Sequence, residues 1–151
     1  MPPSFAKILV HAVFSTKERR PFLQDKIIRE ELQLYLVGIL ASLECQPLIV
    51  GGTADHVHIL STLSGTCEAA AMVKEVKRGS ASWLKTKNAA LKEFAWQNGY
   101  GIFSIGFSQM KSARDYIARQ EAHHRKISFQ DEFRQLLRRY EIEFDEKSVW
   151  D

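Results

Sequence analysis

Hydrophobic positions along this chain follow two periods, and the changes between them mark its elements. Ala6 to Ser15 (AKILVHAVFS) is short, β-branched and aromatic, and reads as a strand. A basic loop, Thr16 to Arg20, follows and is closed by Pro21. From Asp25 to Leu43 the apolar residues Ile28, Leu32, Tyr35, Leu36, Ile39 and Leu43 recur at helical spacing, which predicts a helix with one buried stripe. Gln46 to Val50 reads as a second strand, turned by Gly51-Gly52, and His56 to Leu63 (HVHILSTL) as a third, close enough to pair as a hairpin. A second helix is expected from Cys67 to Lys87, interrupted at Gly79. Gly99 breaks the chain before a fourth strand, Tyr100 to Phe107, in which Phe103, Ile105 and Phe107 share one face. Two more helices are expected, from Gln109 to Arg125 and from Ser128 to Tyr140, the latter opened by Ser128 and Asp131 at capping-box spacing. The first six elements read β-α-β-β-α-β. That order predicts an α+β, ferredoxin-like fold: an antiparallel four-stranded sheet with two helices on one face, followed by added C-terminal helices.

The 151 residues suffice for one domain with its own core and are too few for two ordinary ones. The expectation is a single domain over 1–151, with a core over about 5–126 and a C-terminal helix and tail over about 127–151. No apolar run approaches the ~20 residues of a membrane span, and Met1-Pro2-Pro3-Ser4 lacks the basic start of a signal peptide. Cys45 and Cys67 form no CxxC pair, so a reducing, cytoplasmic setting is expected. The net charge of +3 conceals an asymmetry: from Glu141 to Asp151 one base faces five acids, and the rest of the chain carries the compensating excess of positive charge. A basic body points to an anionic partner, nucleic acid first among them.

Two groups of residues carry candidate chemistry. In His56-Val57-His58, strand geometry sends both imidazoles to one face and Val57 to the other. Two convergent imidazoles are half of a divalent-metal site. The helices are expected to cover the Val57 face and to leave the histidines on the open one. Tyr116 and Gln120 lie four apart, hence on one face of a continuous helix. Gln offers a neutral oxygen to a metal, and Tyr a phenol oxygen as nucleophile. Taken singly, each group has a plainer reading: histidines beside a turn that Asp55 caps, and a tyrosine in ordinary packing.

In this order and spacing the two groups resemble the HUH single-tyrosine transposases, the small transposases of bacterial insertion sequences and their relatives associated with repeated extragenic palindromes. The likeness extends over STKERRPFL (15–23), GGTADHVHIL (51–60), VKEVKRGSASWLK (73–85) and YGIFSIGFSQMKSARDYIARQEAHHRK (100–126). The resemblance implies the ferredoxin-like fold and a single-stranded DNA partner with a hairpin near the cut. It assigns His56, His58 and Gln120 as ligands of magnesium or manganese, and Tyr116 as the nucleophile. It also implies a homodimer, often with the tyrosine helix serving the partner's site.

The expected product is a 5′-phosphotyrosine and a free 3′-hydroxyl. That linkage stores the bond energy, in keeping with the absence of a GxxxxGK[ST] phosphate loop and of any nucleotide cofactor. The phenol must lose a proton, and a metal-bound water, His123 or His124 are the bases the sequence offers. His124, one turn beyond Gln120, also competes as a ligand. Two imidazoles alone would favour zinc. DNA contacts are expected from Lys17, Arg19 and Arg20 in the loop and from Lys74, Lys77, Arg78 and Lys85 on the second helix, with Trp83 and Trp96 as possible stacking residues. Trp150 offers the acidic tail an anchor. Three rivals have distinct requirements. A non-catalytic nucleic-acid-binding sheet would form no covalent adduct. A relaxase would place its tyrosine before the histidine pair, and a replication initiator would share the order seen here but not the block pattern. A zinc hydrolase would need a carboxylate or third histidine near His56 and would have no use for Tyr116.

Overall fold

The computed structural model describes residues 3–151. Its strands are β1 (Leu9–Ser15), β2 (Pro47–Gly52), β3 (His56–Thr62) and β4 (Gly101–Ile105), and its principal helices are α1 (Lys26–Ser42), α2 (Ala69–Leu84), α3 (Met110–Ala118), α4 (Gln120–His123) and α5 (Phe129–Arg139). The sheet runs β2-β3-β1-β4 with every neighbouring pair antiparallel, the order of a ferredoxin-like α+β fold.

The first face of the sheet is built as the periodicity predicts. Val10, Ala12 and Phe14 of β1 and Val57 and Ile59 of β3 pack against Leu32, Leu36 and Leu40 of α1 and Met72, Val73 and Val76 of α2. Asp25 caps α1 by accepting from the Ile27 and Ile28 amides. Gly79 does not interrupt α2. A Cβ there would lie 3.0 Å from Ile39 Cδ1, so the glycine lets the two helices approach.

The second face is not open, contrary to the expectation for the histidines. Phe129, Phe133, Leu136 and Leu137 of α5 form a second core with Val13 of β1 and Phe103 of β4. The spacing of these four residues makes α5 amphipathic, and its stripe must find apolar surface. Val13 makes that possible, because β1 presents an apolar residue on this side as well and every one of its seven residues is buried. The C-terminal helices thus turn a two-layer α+β unit into a three-layer one.

Three element boundaries also differ from the sequence reading. β1 begins at Leu9 rather than Ala6, and the preceding residues from Pro3 are exposed. Gly51 and Gly52 do not form the turn but end β2, and the chain reverses over Thr53–Asp55, where the Thr53 amide donates to His56 O. The helix expected from Gln109 to Arg125 breaks at Arg119, whose φ of −102° and ψ of 20° leave the helical region.

Candidate active site

β3 directs His56 and His58 onto the second face and Val57 into the first core, as strand alternation requires. Both imidazoles are fully buried beneath α3, α4 and α5. Their orientation is fixed from behind. His56 Nδ1 lies 2.7 Å from Asp55 Oδ1 and 3.0 Å from Thr53 Oγ1. His58 Nδ1 lies 2.7 Å from Nε2 of His11, a β1 residue stacked on it. With Nδ1 of each ring engaged by these partners, both Nε2 atoms face the same space.

Glu132 of α5 projects into that space, a residue that sequence reasoning passed over. One carboxylate oxygen, Oε1, lies 2.9 Å from His58 Nε2, 3.0 Å from His124 Nε2 and 3.6 Å from His56 Nε2. The other, Oε2, accepts from the Tyr116 hydroxyl and, at 3.1 Å, from Gln120 Nε2. Gln120 Oε1 is 3.1 Å from His56 Nε2, and the Tyr116 hydroxyl is 3.4 Å from His123 Nε2. The structure therefore brings Tyr116, His56, His58 and Gln120 together, although the helix carrying the tyrosine and the glutamine is broken between them. A sequence signal for Glu132 existed. It falls in the stripe of Phe129, Phe133 and Leu136, and a carboxylate at a buried position needs partners.

The electrostatics follow from burial and from these partners. Burial pushes His58 down to about 4 and His11 down to about 3, so both rings are neutral near pH 7. At Glu132 burial alone would raise the carboxyl, but hydrogen bonds with His124 and His58 outweigh it and hold the group ionised. Burial, then the hydrogen bond to Glu132, pushes the Tyr116 phenol up. The carboxylate and third histidine required of a zinc hydrolase are present as Glu132 and His124, and Tyr116 donates into that same carboxylate. His56, His58, His124 and Glu132 could hold a metal ion, since their ligand atoms all lie within 4.8 Å of one another.

The expected DNA-contacting cations lie elsewhere. Lys74, Lys77, Arg78 and Lys85 line a cleft of about 410 Å³ between α2 and residues 94–100. Lys17, Arg20 and Lys85 line an adjoining one. α2 covers the first face of the sheet, so the sheet separates the α2 cations from the histidines. Lys77 is committed to the fold, because its ammonium donates to the carbonyls of Gln97, Asn98 and Gly99 at 2.8, 3.2 and 2.6 Å. Arg19 points instead to the Trp150 ring, 5.7 Å away. Trp96 packs edge-on against Phe14 and Phe94 and donates to Ser80, and Trp83 stacks on Tyr35. Trp150 packs on Phe133 of the second core, and the Asp151 carbonyl accepts from the Gly99 amide, which ties the tail to the body. Access to Tyr116 is through a cleft of about 490 Å³ that also exposes His123, Glu132 and Arg139, and Gln120 borders a separate one with Arg29, Arg119 and Arg125.

Comparison with known proteins adds three findings. A family model described as "Transposase IS200 like" matches residues 4–120. The fold is similar to that of a candidate transposase from Deinococcus radiodurans, with a TM-score of 0.61 and 20% identity over 80% of this chain and 95% of that one. It is also similar to a REP-associated tyrosine transposase bound to a REP hairpin, with a TM-score of 0.59 and 16% identity over 82% of this chain and 73% of that one. No curated protein matches the chain. The family match stops before His123, His124 and the whole of α5.

Proposed function

This chain belongs to the IS200-like transposase family, and from that premise we propose that it cleaves and rejoins single-stranded DNA through a 5′-phosphate linkage to Tyr116. One observation carries the reading: a phenol, two imidazoles and a carboxamide from β3, α3 and α4 meet within one buried site. Nothing in the packing of a plain binding module calls for that convergence. A substrate bearing a hairpin near the cut fits the reading, since the REP-associated relative of similar fold is bound to one.

The donor set fits a divalent ion: two Nε2 atoms with their Nδ1 positions occupied, and the Gln120 oxygen beside one of them. His56, His58 and Gln120 would hold magnesium or manganese, which would supply charge withdrawal at the phosphate. The chain's own residues do the rest. Tyr116 attacks phosphorus in line. Its O–P bond forms as the P–O3′ bond breaks, and the 3′-oxygen leaves and takes a proton from solvent to become a hydroxyl. The phenol proton passes to Glu132, the carboxylate it already faces, which supplies a base that the sequence did not name. Rejoining reverses these steps with another 3′-hydroxyl. Arg139, in the cleft beside Tyr116, is placed to steer the phosphate.

The cations over the first face, Lys74, Arg78, Lys85, Lys17 and Arg20, would hold the flanking strand or hairpin, and Lys77 would support them by fixing residues 97–99. A homodimer remains compatible with this reading but does not require an exchanged tyrosine, because Tyr116 lies beside His58 of its own chain. Residues 1–151 act in this reading as one domain. No helix among the described residues is long and apolar enough to cross a membrane.

The test is to mix the protein, Mg²⁺ or Mn²⁺ and labelled single-stranded DNA carrying the palindromes that flank its own gene. A denaturation-resistant adduct is expected with the wild type and none with Tyr116→Phe. His56→Ala should lose cleavage and keep most DNA binding. An adduct that persists in Tyr116→Phe would remove the nucleophile assignment, and no adduct under any condition would favour a binding module.

A further inference from the structure

His124 and Glu132 lie outside the matched family region and are not needed to complete the set of His56, His58 and Gln120. Both nevertheless point into the same space. Three imidazoles converge there, and each has its Nδ1 occupied by a separate partner. His56 meets the Asp55 carboxylate at 2.7 Å, His58 meets His11 Nε2 at 2.7 Å, and His124 meets the Ile127 carbonyl at 2.8 Å. Metal-binding histidines are held in this way, with the outer nitrogen engaged and the inner one turned to the ion. All three inner Nε2 atoms face Glu132 Oε1. Where an Nε2 gives up the proton it shares with Glu132, its lone pair faces a carboxylate, an arrangement that a cation between them stabilises.

The distances identify the kind of charge that fits. A tetrahedral ion with bonds of about 2.0–2.1 Å sets its ligands about 3.3 Å apart. Glu132 Oε1 lies 2.9, 3.0 and 3.6 Å from the three nitrogens, and all four ligand atoms fall within 4.8 Å of one another. Three imidazoles and one carboxylate are the donors of a late transition metal, whereas magnesium prefers oxygen and water.

We propose that His56, His58, His124 and Glu132 form a four-coordinate site for a zinc-class dication that ties α4 and α5 to β3, with a ligand set different from His56, His58 and Gln120. Four protein ligands close such a site, while catalytic zinc keeps an open position. The zinc-loaded protein is therefore a locked form. Glu132, with Oε1 on the ion, is a weaker base toward the Tyr116 phenol that faces its Oε2, and no position remains for a phosphate oxygen. The inference goes beyond the strand-transfer reading and does not depend on Tyr116 being a nucleophile.

The test uses the full chain, stripped with a chelator and titrated with Zn²⁺ alone or Co²⁺ alone. One Zn²⁺ should bind per chain, Co²⁺ should give the intense visible bands of tetrahedral coordination, and millimolar Mg²⁺ should not displace either. Glu132→Gln and His124→Asn should each weaken Zn²⁺ binding by ~10-fold or more, because ligands matter at least as much as their outer partners. Gln120→Ala should cost less than either, because Gln120 touches Glu132 and His56 without being a ligand of this set. If Glu132→Gln does not fold, His124→Asn decides alone. A weak six-coordinate Co²⁺ spectrum, or Zn²⁺ affinity unmoved by these substitutions, overturns the proposal whatever the DNA assay shows. Conversely, failure to form the Tyr116 adduct with Mg²⁺ or Mn²⁺ leaves the zinc result standing.

Discussion

Glu132 is the residue on which the site turns. It is the only carboxylate among the described residues that the Tyr116 hydroxyl donates to, and it is held ionised in a buried position. If it takes the phenol proton, Glu132→Gln should slow adduct formation by ~100-fold or more, the usual scale of a positioned base, with DNA affinity unchanged. Adduct kinetics under single-turnover conditions check this. His11 makes a second prediction, for the chelator-treated protein. Its folded pKa lies near 3 against an ordinary 6.5, so the unfolded chain binds the proton more readily between those values. Its contribution to stability is therefore fully present above pH 6.5 and is lost as the pH falls toward 3. His11→Phe keeps an aromatic ring against His58 and Phe103, where His11 now packs, and should make the acid loss shallower. Urea melts across that range measure it.

At the scale of elements, the position of Tyr116 depends on how closely α3 sits on β2. A Cβ on Gly51 would come 2.6 Å from the Ile117 carbonyl oxygen and 2.9 Å from its Cγ2, and Ile117 is the neighbour of Tyr116, the proposed nucleophile. Gly51→Ala should destabilise the fold by about 1–3 kcal/mol through overpacking. It should also slow adduct formation by ~100-fold, because displacing a reacting group by about 1 Å has that effect. Thermal melts and adduct kinetics separate the two consequences. The same elements show what was legible in the sequence. The β-α-β-β-α-β order, the inward Val57 and the stripe of α1 are local periodicities, and each was readable from spacing alone. The Ser128 cap was readable from its spacing to Asp131. The cover over the histidines was not, because it depends on α5 returning to a sheet face where β1 also presents an apolar residue, Val13. Gly51-Gly52 reads as a turn by composition, yet these glycines serve a close approach of α3 and, at Gly52, a φ of 155°. Glu132, far in sequence from His58, needed tertiary structure to be placed among the histidines, although its position in an apolar stripe was a sign of it.

Taken whole, the molecule has two cores on opposite faces of one sheet, and β1 contributes to both. That sharing argues for one cooperative unit over 1–151, and calorimetry should show a single unfolding transition. Phe133 sits in the second core against Phe129 and Trp150, so Phe133→Ala should cost about 3–5 kcal/mol and lower the midpoint of that same transition. Two resolved transitions would show that α5 and the tail fold apart from the rest. The division of the surface follows from the same layering: a basic cleft over α2 on one side, and the half-buried tyrosine with the buried histidines on the other. A strand bound by both must pass around the sheet. The most direct test of the central claim is to form the adduct on single-stranded DNA, digest the protein and the DNA, and locate the attached nucleotide by mass spectrometry. The account predicts a 5′-phosphonucleotide on Tyr116. Attachment to any other residue would contradict it.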